Sequence, residues 1–157
     1  MSINHAAVID RLHTIFREHR TPQFTVVPGE PLALAPDGSP FLCFWYMGDT
    51  DPPEGRMTLT NVMVLERFKV MCLWHRVLEL GTYEALENQI WDANRTLKAA
   101  LRGDSTLGEL VTDLDVTDSQ VDYGVFPIQG ASGNAPVYRS LEFELLLKGL
   151  EEEDIAP

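Results

Sequence analysis

The chain has 157 residues, 45% hydrophobic and 23% charged, the make-up of one globular domain large enough to bury a core. Its formal charge of −12 excludes ordinary nucleic-acid binding through a basic stripe, and two cysteines are too few for a disulfide framework. No run approaches the roughly 20 apolar residues that span a bilayer, and the start "MSINHAAVIDRLHTIF" carries His, Asp and Arg where a signal peptide would be continuously apolar.

The charge is uneven. Residues 1–102 hold 12 acids and 10 bases, whereas residues 103–157 hold 12 acids and only Arg139 and Lys148. Such a surface can still live beside DNA if its task is to avoid sticking to it. Cys43 and Cys72 each sit inside an apolar run and read as small buried hydrophobes of a reducing compartment, so the cytoplasm is the expected place of synthesis. No Gly/Ser-rich or Pro-rich linker divides the chain. Residues 1–150 therefore read as one domain and 151–157, "EEEDIAP", as a frayed acidic tail.

In chain order, residues 2–19 predict a helix capped by Ser2, with Ile3, Ala6, Ile9, Leu12 and Phe16 on one face and Thr21-Pro22 ending it. "QFTVV" (23–27) suggests a short strand, "PGEPLALAPDGSP" (28–40) is rich in turn signals, and "FLCFWYM" (41–47) is an apolar run of strand length. "GDTDPPEG" (48–55) reads as a polar loop. Leu59 to Trp74 gives the longest strand signal, with Val62, Val64, Phe68, Val70, Cys72 and Trp74 on one face, interrupted by Glu66. Met63, Leu65, Arg67, Lys69, Met71 and Leu73 share the other face. Sixteen extended residues reach about 50 Å, where a usual strand reaches about 20 Å, so this one must bend, bulge, or project to meet a partner.

Residues 82–102 predict the clearest helix, with Thr82 as cap and Tyr83, Leu86, Ile90, Leu97 and Leu101 as its buried stripe. Asn94 lies within that stripe and requires a hydrogen-bond partner. Gly103 is placed for the left-handed residue that closes a helix, and a strand is expected around "ELVTDLDVT". Residues 117–136 resemble an excursion more than core. A last strand from Val137 to Leu147 puts Leu141, Phe143, Leu145 and Leu147 inward and Ser140, Glu142 and Glu144 outward. The order predicts an α+β fold: a mostly antiparallel sheet with two helices packed on one face and a long central strand that bends, bulges or projects.

Chemistry is sparse. His5 and His13 would lie about 80° apart on a helix, with His19 pointing elsewhere, and no HxxH or HExxH spacing is present. Asp49, Asp51 and Glu54 lack the ladder of a calcium loop, and Asp113, Asp115 and Asp118 flank no His or aromatic cluster. There is no GxGxxG, P-loop or GxSxG, and "GASG" (130–133) has no Lys. The expectation is a non-enzymatic protein without metal or cofactor.

The opening helix, "VVPGEPLALAPDGSP", the long central strand, the second helix and above all "ALRGDSTLGELVTDLDV" resemble the tail terminator proteins of long-tailed bacteriophages. These are also called tail completion or minor tail proteins, and gene transfer agents have equivalents. Ala100-Leu101, Asp104, Thr106-Leu107-Gly108, Val111 and Asp113 match the family's passage between second helix and strand. Glu109 replaces a common second glycine. "RSLEFELLL" resembles the family's last strand.

The resemblance implies a virion protein, assembled in the host cytoplasm. It forms a ring, usually of six subunits, that caps the tail tube at its head-proximal end, stops polymerisation and presents a face to head-completion or stopper proteins. DNA passes through the lumen without specific binding, and no membrane is involved. Alternatives are a neck or stopper protein and, from another class, a small-molecule enzyme or binding module with "FLCFWYM" as a pocket wall. Expected partner contacts are Asp49, Asp51 and Glu54 in one loop and Tyr123 and Phe126 in the excursion. Arg67 and Lys69 are candidates for pairing with acids of a neighbouring subunit.

Overall fold

The computed structural model describes residues 3–19, 24–29, 40–50, 61–75, 82–125 and 137–152. In chain order these form α1 (His5–Glu18), β1 (Thr25–Pro28), β2 (Phe41–Thr50), β3 (Asn61–His75), α2 (Thr82–Gly103), β4 (Asp113–Val116), β5 (Gln120–Val125) and β6 (Val137–Glu152). The strands make one sheet in the order β1-β2-β3-β6-β4, with β5 continuing β4 along the same edge of β6. β1 and β2 run parallel, and every other described pair is antiparallel. Both helices lie on one side, α1 against β1 and α2 against β4, and they touch each other. The fold is α+β, as the element order predicts.

Beneath the helices lies the core. Val8, Leu12, Ile15 and Phe16 of α1 and Ile90, Ala93, Leu97 and Leu101 of α2 meet Leu42 and Phe44 of β2, Phe68, Val70, Cys72 and Trp74 of β3, and Leu141, Phe143, Leu145 and Leu147 of β6. All the strand residues in that set occupy one parity of the pleat, matched across the sheet by register: Phe44 opposite Val70, and Val70 opposite Phe143. Aromatic rings tighten the packing, Phe16 to Phe44 at 5.2 Å and Phe24 to Trp74 at 5.3 Å between centroids.

α1 begins later than expected. Its cap is Asn4, not Ser2, and the Asn4 Oδ1 accepts the Ala7 N–H at 3.2 Å. Ala6 is exposed, and Val8 and Ile15 take its place, because Val8, Leu12, Ile15 and Phe16 form one i, i+4, i+7, i+8 arc toward the sheet.

Gly103 does not close α2 with a left-handed residue. The helix runs through Gly103, and positive φ falls at Leu107 (49°), Gly108 (66°) and Glu109 (71°). Asp104 organises this turn. Its Oδ1 accepts the Gly108 N–H at 3.0 Å, while its Oδ2 receives Arg11 Nε at 2.8 Å and Nη2 at 2.7 Å, tying the turn to α1. Thr106 Oγ1 accepts from the Glu109 N–H, and Leu107 is driven fully into the core. The burial of Leu107 offsets the roughly 1–2 kcal/mol that a left-handed backbone costs a residue with a Cβ.

The strands also depart from expectation in places. Gly48–Thr50 belong to β2 and not to a loop: Tyr46 pairs with Phe68 and Gly48 with Arg67, so Met47 is the extra residue of a bulge and Gly48 takes φ +102°. β3 is paired by β6 over its whole length and by β2 from Leu65 to Leu73. At residues 61–64 it runs on past the end of β2, alongside residues 149–152 of β6, which is its only strand partner there among the described residues.

Residues 120–125, expected in an excursion, are β5. Alternation hides it because one extra residue separates it from β4: Val116 faces Leu145, yet Gln120 faces Glu142. Thr117 bridges the offset, its N–H donating to Glu144 O and its Oγ1 accepting from Glu144 N. The expected strand around "ELVTDLDVT" shrinks to Asp113–Val116, since Leu107–Thr112 are turn, and β6 runs on to include Glu151 and Glu152 of the expected tail.

Candidate interaction face

The sheet side away from the helices is where the exposed chemistry collects. β2 contributes Trp45 and Met47; β3 contributes Leu65, Arg67, Lys69 and Met71; β6 contributes Glu142, Glu144, Leu146 and Lys148. Most of these are half-buried and Met47 is exposed, while Cys43, Leu73 and Ser140 on the same side are buried. Opposite charges face each other across strands: Lys69 stands opposite Glu144 and bonds Glu142 at 3.2 Å, and Lys148 stands opposite Asp113.

Arg67 and Lys69 come together on this side but in different states. Lys69 already holds an acid of its own chain, Glu142. Arg67 donates from Nη2 to the Met47 carbonyl at 3.3 Å, steadying the bulge, while its Nε is buried with no hydrogen-bond partner among the described residues. Asp49 lies at the end of β2 in register with Glu66, exposed. Tyr123 is in β5, opposite Arg139. Asp51, Glu54 and Phe126 lie outside the described residues.

A second cluster sits on the helix side. Glu66, the charge that interrupts the apolar face of β3, is buried. Its Oε2 accepts from the Tyr46 hydroxyl and its Oε1 stands 3.6 Å from His5 Nε2, with the His5 and Tyr46 rings 5.1 Å apart. A buried carboxylate needs such partners to offset its lost hydration. The signal for it was the acid at an inward position in an otherwise apolar alternation. Beside it a cleft of about 280 Å³ is lined by Ile9, Pro28, Gly29, Phe44, Trp45, Tyr46 and Phe68.

The seam between α2 and the β4–β5 edge is polar. Arg139, buried, places Nη2 2.7 Å from both Glu87 carboxylate oxygens. Ser119 Oγ donates to Asn94 Oδ1, which supplies the partner that residue required. Lys98 donates to Thr117 O at 2.9 Å and stands 5.5 Å from the Phe143 ring centroid. Burial first, then the Arg102 charge, hold the Lys98 ammonium pKa below its ordinary value. Trp91, off the buried stripe, projects at 66% exposure.

Among the described residues no three His, Cys, Asp or Glu side chains gather as a metal site, and no helix is long and apolar enough to cross a membrane. No family model matches the chain, and no curated protein matches it.

Proposed function

We propose that the chain is a structural subunit of tail terminator type, which assembles into a ring, closes the end of a tail tube and offers a face for the head-completion or stopper protein. The observation that carries this is the turn after α2. Its left-handed residues are Leu107, Gly108 and Glu109, the last at the position where the family that the sequence resembles commonly has a second glycine. Asp104, matched in the same passage, is the residue that binds the turn together. The open side of the sheet supports the same function: it leaves Trp45, Met47, Leu65, Met71 and Leu146 only partly covered, beside an Arg67 without an acid partner among the described residues. A head-to-tail contact through such a face closes into a ring when the rotation per subunit is right.

Electron micrographs and light scattering of the purified protein, alone and with tube ends, test the proposal. Rings are the expected result. A strict monomer under both conditions, with normal tail length after deletion of the gene, would reject it. Arg67→Glu is expected to weaken assembly while circular dichroism stays that of the folded subunit.

The apolar cleft favours a second reading, a small-ligand binding module. Its volume falls just below the roughly 300–1,000 Å³ of ordinary ligand sites, and among the described lining residues Tyr46 brings the one side-chain hydroxyl. Calorimetry against aromatic small molecules tests it.

A further inference from the structure

The outer edge of β5 combines three features. First, among the described residues β5 pairs only with β6 and no strand lies along its other edge. Second, two exposed apolar side chains, Trp91 and Val121, lie on the helix side of that edge. One turn either side of Trp91 on α2, Glu87 reaches Arg139, which faces Tyr123, and Asn94 reaches Ser119. Trp91 therefore sits level with Val121, between those two anchors, and Val121 is itself 41% exposed. Third, the opposite side of the same edge is acidic. Asp113 and Asp115 of β4 and Asp122 of β5 are exposed with the parity of the open side, and residues 104–125 contain six acids and no Lys, Arg or His.

We propose that this edge is a docking site for an extended segment of a partner chain whose side chains alternate apolar and basic. Added as an antiparallel strand, the segment bonds the alternate backbone groups of Gln120–Val125 that face away from β6. Alternate side chains then fall on opposite sides: apolar ones against Trp91 and Val121, basic ones beside Asp122. A segment with acidic side chains in the second set is repelled. The site lies apart from Arg67, so it does not depend on ring formation.

The test uses the whole protein and two eight-residue probes, one alternating Val and Lys, the other Val and Glu. The lysine peptide is expected to bind by calorimetry and to slow hydrogen exchange at amides of residues 120–125, with the glutamate peptide at least ten-fold weaker. Asp122→Lys should invert that preference, and Trp91→Ala should weaken the lysine peptide at least ten-fold. Both residues are exposed; should either variant lose its native circular dichroism, Asp122→Asn and Trp91→Phe replace it, with smaller shifts in the same direction. Equal binding of the two peptides, no binding of either, protection elsewhere in the chain, or a preference unmoved by the Asp122 variants overturns the proposal. Concentration-dependent protection of residues 120–125 without peptide overturns it too, by assigning the edge to a second copy. Light scattering reads ring formation separately, so the two proposals fail independently.

Discussion

The two sides of β3 carry similar residues to different ends. Toward the helices, Phe68, Val70, Cys72 and Trp74 are sealed and add their area to one continuous core. Away from them, Leu65, Met71, Arg67 and Lys69 stay half-buried, with Lys69 paired to Glu142 and Arg67 bonded to the Met47 carbonyl. Among the described residues α1 and α2 lie on only one of the two sides, yet Leu73 is sealed on the other as well, so the partly covered stretch there is the one from Leu65 to Met71. That stretch is where a second molecule gains most by docking.

Two positions three residues apart on β6, facing opposite sides, should break the symmetry most sharply. Phe143→Ala, beneath the helices, is expected to cost about 3–5 kcal/mol in urea unfolding, whereas Leu146→Ala, on the open side, should cost under about 1 kcal/mol and act on assembly instead. Next in size is Tyr46→Phe, which deprives the buried Glu66 of its hydroxyl donor and should cost about 1–3 kcal/mol, read from the same unfolding curves. A like loss from an exposed site would show that Glu66 is not sealed by the helix-side packing.

Glu109→Gly should stabilise the chain by about 1 kcal/mol, because glycine holds the left-handed conformation without a Cβ penalty. A lower melting temperature in that variant would assign the Glu109 side chain a stabilising role that its backbone does not explain.

The two cysteines compare the faces with the smallest signal. Burial pushes the Cys43 thiol, on the open side, from its ordinary 9.0 up to about 11, and raises Cys72, under the helices, well above 9.0. Both should resist thiol reagents at pH 8 in the folded protein, Cys72 the longer. Because a raised folded-state value favours the protonated native form, the associated stability is complete below pH 9.0 and is lost as the pH rises through about 11. Chemical denaturation across that range checks the sign.

Much of this was legible in the sequence. The β6 run from Leu141 to Leu147 alternates cleanly and faces as its pattern dictates, and α2 shows its stripe at Ile90, Leu97 and Leu101. β5 was hidden because an extra residue shifts its parity and because Gln120 and Asp122 leave one apolar residue between them. The turn was misplaced because Gly103 looked like the residue of least resistance, whereas the core draws in Leu107 and forces positive φ four residues later. Of the candidate site, Arg67 and Lys69 were found as charges on an apolar face. That Lys69 has an acid within its own chain depends on strand register, which no local pattern encodes.

The extra residue near Thr117 also governs how this part of the chain can change over evolutionary time. Shortening that joint by one would remove the extra residue and leave Val121 opposite Leu141, with the ladder continuous from β4, whereas a further insertion that the joint did not absorb would move β5 by one place and turn Val121 out and Asp122 in. Substitutions along β5 can accumulate one by one, and the joint should tolerate a deletion better than an insertion.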